Sequence, residues 1–419
     1  MKPTLLFISP RFLYPPVKGE KIRGWNLLRH FASRYRVLLG CLVDDPADMA
    51  HYEVLRPFCA ELACFPIDKR WQKIKSLATF RPGRPLMLDY NYHPGLAAWV
   101  KSVLAREPVD IVYLFSTPMA PYVLPLDDTT HRPVLVLDMQ DIDSEKWREY
   151  ALTARFPMNM VWAREARTLL AYEIAAARAC DLTFLVSEPE CAAFRRLMPA
   201  IGDKLHAVEQ GVDLEQFSPV HHFDTPYKSA GPHIALVGNM DYWPNEDAAM
   251  WFASAVLPIV RRRHPTAAFA IIGANPTPRI RALAELAGVL VTGRVADVRP
   301  YVANAAVAVI PLRIARGIQN KVLEAMALGR PVVVTPQAFE GVRAEAGRDL
   351  LVADGAEALA ATIGEVLDGK HPNIGMAARR AMEASYDWAS RMALLDRLLD
   401  AELAARCAKR VPTNSKDAA

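Results

Sequence analysis

The chain has no run of about eighteen apolar residues, so no segment is expected to span a bilayer as a helix. It has no C-x-x-C spacing. Its six cysteines (Cys41, Cys59, Cys64, Cys180, Cys191, Cys407) sit mostly in apolar segments and read as reduced core residues of a cytoplasmic protein. The ten histidines are scattered; the adjacent His221 and His222 suit a loop better than a helical metal pair, so a zinc site is not expected. Charge is nearly balanced at +4, with a pI of about 8.7, which is too little excess to argue for nucleic acid. The opening MKPTLLFISPRF is too short in its apolar part for a signal peptide and reads as a first strand. What remains is a globular composition, 52% hydrophobic and 23% charged, in 419 residues. That length exceeds one ordinary core and implies two domains.

Short β-rich runs alternate with helical patterns. TLLFIS (4–9), VLLGCLV (37–43), DIVYLFS (110–116), PVLVLDM (133–139) and DLTFLVS (181–187) read as buried parallel strands, covered on both faces by crossover helices. One helix is expected over 23–34 and a long one over 144–179. The pattern restarts at HIALVG (233–238), followed by a helix over 245–263, AAFAIIG (267–273), a helix over 279–287, and then VLVTG, AVAVIPL and PVVVT. Two blocks of this kind imply two doubly wound α/β sheets. The expected division is a first domain over 1–217, an aperiodic linker over 218–232 and a second domain over 233–385. A last helix over about 388–405 is expected to pack back on the first domain, ahead of a frayed tail at 408–419.

Ligands of open α/β sheets bind beyond the carboxyl ends of strands, and two loops there carry chemistry. In SPRFLYPPVKGEKIRGWN, Gly19 allows close backbone approach at a helix start, with Lys18, Lys21 and Arg23 adding charge. In ARGIQNKVLEAMALGRPVVVTP, Gly317 permits a tight turn and the amides near Gln319 and Asn320 can meet a diphosphate. There Lys321 can neutralise a leaving phosphate, and Glu324 can accept two hydroxyl hydrogens from a ribose. The alternative for Lys321 and Glu324 is a solvated helix pair three residues apart.

LEAMALGRPVVVT after a glycine loop resembles the donor signature of glycosyltransferase family four, retaining enzymes of the GT-B fold, in which two Rossmann-like domains face each other across a cleft. KGEKIRGWNLLRHFA, VEQGVDLEQFSP, LVGNMDYWPNEDAAMWF and FEGVRAEAGRDLLVADGAEALAATI resemble further family segments in order, so the resemblance spans the chain. A finer resemblance is to sugar transferases of bacterial exopolysaccharide and PEP-CTERM/exosortase systems. The resemblance implies a hexosyltransferase-type enzyme that moves a sugar from a nucleotide-sugar donor to a saccharide or lipid-linked saccharide acceptor. The first domain then takes the acceptor and the second the donor. Of the family's two glutamates, Glu324 matches the second, which holds the donor ribose, and the first falls on Arg316. The family's Arg after the strand opening the second domain is replaced by Asn239, after Gly238, and its Lys is missing from GNMDYWPN. Arg313, Arg316 or Lys321 is expected to supply the missing charge. The family's histidine near the reacting sugar has no counterpart, leaving Ser116, Asp141 and Asp143 as polar groups for the acceptor. No Asp-x-Asp lies in a suitable loop, so no metal and no cofactor is expected, the charge being met by amides, cations and a helix dipole.

Finally, DKRWQKIKSLATFRPGRP (68–85) places Lys69, Arg70, Lys73, Lys75, Arg81 and Arg84 with Trp71, Ile74, Leu77 and Phe80, and no acid after Asp68. This suits adsorption on anionic lipid, and so a peripheral place on the inner face of the cytoplasmic membrane. The competing expectation is a solvated helix whose apolar side packs on its own domain. Rival functions are a GT-B sugar-nucleotide epimerase, a catalytically inactive nucleotide-sugar-binding protein, and a dinucleotide oxidoreductase. The last wants a G-x-G-x-x-G that neither loop supplies.

Overall fold

The computed structural model describes residues 2–16, 19–78, 81–126, 132–315 and 317–410, with the side chains of 77, 78, 409 and 410 left out. It divides into two compact units, Met1–Glu209 with Met392–Ala419, and Gln210–Arg391.

The first unit is built on seven parallel strands: β1 (Thr4–Ser9), β2 (Arg36–Val43), β3 (Glu61–Pro66), β4 (Ile111–Phe115), β5 (Val134–Gln140), β6 (Leu182–Leu185) and β7 (Leu205–Ala207). Their order is β3-β2-β1-β4-β5-β6-β7, so the direction of winding reverses between β1 and β4. Leu5 pairs with Val37 on one side and Ile111 on the other, and Leu5 to Ile8 are fully buried, as a strand covered on both faces requires. Five of its helices matter below: α1 (Gly19–Arg34), α2 (Lys69–Ala78), α3 (Leu86–Tyr90), α4 (Asp143–Thr153) and α5 (Met158–Ala179). The helix expected over 144–179 is therefore two, broken between Thr153 and Met158, where Pro157 has no N–H to give.

Two charges expected at the first ligand loop belong instead to the core. The Arg23 guanidinium is fully buried; its Nε donates to Asp138 Oδ2 (2.9 Å), Nη2 to Oδ1 (3.2 Å) and Nη1 to the Val208 carbonyl (2.8 Å). The Tyr113 hydroxyl donates to the same carboxylate at 2.6 Å. Lys21 is buried against Asp48 at 2.7 Å. Positions 21 and 23 lie on opposite sides of α1, so they are buried against different elements, and each cation has an acid waiting there. Lys18 lies outside the described residues.

The second unit has six parallel strands: β8 (His233–Val237), β9 (Ala268–Ile272), β10 (Val289–Gly293), β11 (Val307–Ile310), β12 (Val332–Val334) and β13 (Leu351–Val352), in the order β10-β9-β8-β11-β12-β13. Its helices include α6 (Trp243–Trp251), α7 (Leu257–Arg263), α8 (Asn320–Ala327) and α9 (Ile374–Ser385). The single helix expected over 245–263 is interrupted by a π turn at Phe252–Val256, in which the Leu257 N–H reaches the Phe252 carbonyl. Pro258 cannot donate to the preceding turn, and the ladder loosens just before it.

The division falls at Glu209, and the stretch 218–232 belongs to the second unit rather than joining two units as a free linker. The Tyr227 ring stacks on His233 at 3.8 Å and its hydroxyl donates to the Tyr301 carbonyl at 2.8 Å. The last helix, α10 (Trp388–Arg410), falls within the first unit from Met392 onward. There Asp396 meets His30 and Arg34, Asp400 meets Arg34, and Arg406 meets Asp181.

Replacing Asp138 by alanine strands the Arg23 charge in the core and is expected to cost about 3–5 kcal/mol of unfolding free energy. Urea titration followed by circular dichroism measures this; a loss below about 1 kcal/mol, the worth of a surface pair, refutes the assigned role.

Candidate functional site

In the second sheet the strand order reverses between β8 and β11, and the polar residues singled out in the sequence gather beyond their carboxyl ends. Gly238 follows β8 and Gly273 follows β9 with φ +148°. A Cβ at Gly273 would lie 1.7 Å from the Gly238 carbonyl oxygen, and one at Gly238 would lie 2.7 Å from Asn245 Nδ2. Both positions must therefore be glycine for the two strand ends and α6 to approach so closely.

Asn245, near the start of α6, is buried. Its Nδ2 donates to the Asn239 carbonyl at 3.0 Å, and its Oδ1 accepts from the Lys321 ammonium. Asn275, with φ +55°, donates to Asn239 Oδ1 at 3.3 Å and to Asp241 Oδ2 at 3.1 Å. Asn245 and Asn275 were not singled out in the sequence. Asn245 stands in the segment GNMDYWPN seven residues after the glycine, a polar side chain at a helix start facing a residue without a side chain.

Gly317 adopts φ +63°, and the Gln319 amide donates to its carbonyl at 3.2 Å. Helix α8 then begins at Asn320, after an N-cap residue whose side chain makes no capping hydrogen bond. Val322, Leu323, Ala325, Met326 and Ala327 are buried and fix the rotation of α8. That leaves Lys321 and Glu324 on its other side, half-buried. They are not a solvated ion pair: Lys321 is turned to Asn245, and among the described residues the Glu324 carboxylate accepts no hydrogen bond. Burial pushes the Lys321 amine down to about 8 against the pull of Glu324, and pushes the Glu324 carboxyl up to about 7 against the pull of Lys321. At the far end of α8, Arg379 on α9 donates to the carbonyls of Ala327 (2.9 Å), Phe217 (2.6 Å) and Leu214 (3.0 Å).

Arg313 does not join this group. Its Nε donates to Asp247 Oδ2 at 2.9 Å, Nη2 meets Oδ1, and the guanidinium lies 5.5 Å from the Trp251 ring centre. Arg316 lies outside the described residues.

In the first unit, Gly19 opens α1. Ser116 and Gln140, at the ends of β4 and β5, hold φ of +84° and +68°, conformations that non-glycine residues keep only where the surroundings enforce them. Asp141 is exposed and Asp143 half-buried at the start of α4. Burial raises the Asp143 carboxyl to about 7, with Lys146 opposing and Asp141, Glu20 and Glu190 reinforcing. Beside it Glu173, raised to about 8 chiefly by burial, accepts from the Ser144 N–H (3.1 Å) and hydroxyl. The two polar groups proposed for one acceptor thus differ: Asp141 faces solvent, whereas Asp143 is held partly neutral near pH 7.

The family described as glycosyl transferases group 1 matches residues 231–369, which contain Gly238, Asn239, Asn245, Lys321 and Glu324. None of the curated proteins matches the chain in sequence. Among solved structures, the fold is similar to sucrose-phosphate synthase from Thermosynechococcus elongatus, with a TM-score of 0.71 at 16% identity, covering 97% of this chain and 100% of that one. It is also similar to HepE of Anabaena in complex with UDP and glucose (TM-score 0.67, 14% identity, 95% and 99% covered). A third similar structure is WaaG, a glycosyltransferase involved in lipopolysaccharide biosynthesis (TM-score 0.64, 14% identity, 94% and 99% covered). Residues 231–369 match the group 1 glycosyl transferase family, which together with the GT-B fold shared with these structures supports a glycosyltransferase enzyme.

Proposed function

We propose that the protein is a retaining glycosyltransferase that moves a sugar from a nucleotide-sugar donor to an acceptor hydroxyl during assembly of a bacterial polysaccharide or glycolipid, on the cytoplasmic side of the membrane. One observation carries this reading: at the switch point of the matched domain, an ammonium held by Asn245 stands one turn from a half-buried carboxylate with no hydrogen-bond partner among the described residues. The ammonium suits a diphosphate and the carboxylate suits paired ribose hydroxyls. HepE, similar in fold, is known with UDP-glucose, and WaaG works in lipopolysaccharide biosynthesis.

In this reading Lys321 and the first amides of α8 meet the charge that grows on the leaving diphosphate, with Arg316 as a further cation and no metal ion. Gly238, Asn239, Gly317, Gln319 and Asn320 shape the backbone around it, and Glu324 fixes the ribose. Ser116, Asp141 and Asp143 are the acceptor-side groups of the first unit. Arg313 has no part in it, because Asp247 takes its charge. A membrane-bound acceptor is favoured by α2. Trp71 and Ile74 face solvent there while Gln72 and Ser76 are buried, the reverse of a helix that packs its apolar side on its own domain. The rival readings as an epimerase or as an inactive binder are separated by incubation with the donor alone and then with an acceptor.

A thermal-shift screen against UDP, GDP, ADP and their sugars is expected to give one nucleotide series that raises the melting temperature. For that donor, Lys321→Ala should weaken affinity roughly tenfold to a hundredfold, as expected for a lost charged hydrogen bond of about 1.5–3 kcal/mol. Arg313→Ala should leave affinity unchanged. Turnover should persist in EDTA. Unaltered affinity in Lys321→Ala refutes the assigned role.

The pH dependence of stability gives a second test. With its folded value raised to about 7, Glu324 makes the native state bind more protons than the unfolded chain between the ordinary carboxylate range and about 7. Its contribution to stability is therefore lost as pH rises through that window. Glu324→Gln should raise the melting temperature at pH 8, leave it nearly unchanged at pH 4, and weaken donor binding. Equal shifts at both pH values would contradict the burial-driven shift.

A further inference from the structure

The α4–α5 hairpin ends in a cluster of large apolar side chains that no described residue of the first unit covers. Leu152 is 75% exposed, Phe156 78% and Met160 63%, with Met158 also exposed. Monomeric proteins rarely leave such a group uncovered without a use for it. Between the helices, Leu152, Met160, Ala163 and Leu170 line a cavity of about 480 Å³, with Arg167 among its lining residues.

The hairpin adjoins the basic helix. Arg164, one turn past Met160, donates through Nη2 to the carbonyls of Arg81 (2.5 Å), Pro82 (3.2 Å) and Arg84 (2.9 Å). Glu165 accepts from the N–H groups of Leu86 and Met87, both at 2.9 Å, at the start of α3. On the other side of this link stands α2, capped by Asp68, whose carboxylate accepts from the N–H groups of Arg70 (2.7 Å) and Trp71 (3.0 Å). Lys75 donates to the Tyr92 carbonyl at 2.9 Å. Trp71 (64% exposed) and Ile74 (59%) point to solvent beside the exposed Lys69, Arg70 and Lys73. Leu77 and Phe80 lie outside the described side chains. Residues 69–88 and 150–164 contain no acidic residue, while Arg155 sits exposed at the hairpin tip.

We propose that the tip of the α4–α5 hairpin is a wedge that enters the hydrocarbon of an anionic membrane, placing Leu152, Phe156, Met158 and Met160 among the acyl chains while α2 lies on the headgroups. The inference rests on the membrane reading given for α2 above and adds to it a second, deeper element. The surface carries a cationic excess, with Arg70 and Lys73 exposed beside Trp71 and Ile74 and Arg155 exposed at the tip, although Lys69 pairs with Asp44, Arg84 pairs with Asp89 and Asp68 caps α2. Such an excess beside exposed apolar side chains suits anionic lipid: the cations gain from the negative surface potential, and the apolar groups leave water.

The experiment uses the full-length chain with vesicles of phosphatidylcholine alone or with phosphatidylglycerol. Wild type should float with the anionic vesicles. The variant Leu152→Ser/Phe156→Ser/Met160→Ser should lose at least about tenfold in partitioning, since each large side chain buried contributes appreciably. Its melting temperature and its shift with donor should not change, because the substituted side chains are exposed. A fluorophore at residue 156 (Phe156→Cys in a Cys407→Ser background) should report an apolar environment only with anionic vesicles. If the triple variant floats like wild type while Trp71→Ser/Ile74→Ser does not, the wedge is refuted and the α2 reading stands. If wild type does not float at all, both fall. If sedimentation shows a wild-type dimer that the triple variant splits, the tip is a self-association surface and the wedge is again refuted.

Discussion

The contact on which the candidate site depends is that of the Lys321 ammonium with the Asn245 side-chain oxygen. It joins the start of α8 to the start of α6, and through the Asn245 amide to the Asn239 carbonyl just beyond β8. A buried asparagine can serve both because it carries donor and acceptor on one planar group. The glycine at 238 leaves room for that group. In the proposed reading, the charge that resembling enzymes carry on the loop after β8 is brought to the same strand ends by Lys321 on the helix after β11. A lysine in such surroundings titrates low and the carboxyl one turn on titrates high, because burial leaves both charges poorly solvated. Weakly solvated charges are the ones from which a ligand gains most.

The sheets were legible because their strands are buried on both faces and therefore read as continuous apolar runs. TLLFIS, PVLVLDM and HIALVG fall within a residue of the observed elements. Two edge strands were not: β3, with partly buried residues, and β13, of two residues, lack the composition that burial on both sides imposes, whereas the edge strand β10 was read as VLVTG. The helix breaks at Pro157 and before Pro258 were also visible as prolines, yet a helical period on both sides concealed them. The stretch 218–232 misled for a different reason. An aperiodic, proline-rich segment looks unattached, but single anchors such as Tyr227 on His233 hold it without any repeat.

Charge was the least legible quantity. Lys21 and Arg23 stand in a glycine loop beside a helix start, where cations invite a phosphate reading, and Arg313 stands just past β11. In the fold each has an acid of its own: Asp48, Asp138 and Asp247. Those acids lie 27, 115 and 66 residues away in the chain, so no local pattern announces them. Lys321, by contrast, meets a neutral amide and keeps its charge available. What separates a structural cation from one that can serve a ligand is whether folding delivers it a carboxylate, and that is a property of topology.

Helix α8 is treated differently at its two ends. Arg379 sets a positive charge among the carbonyls at its tail, including that of Ala327, where the backbone dipole is negative. Its head, after Gly317, has no side-chain cap. In the proposed reading the first amides of this helix are the ones left for an anion while Arg379 holds its other end, so discrimination falls to the side chains around the head.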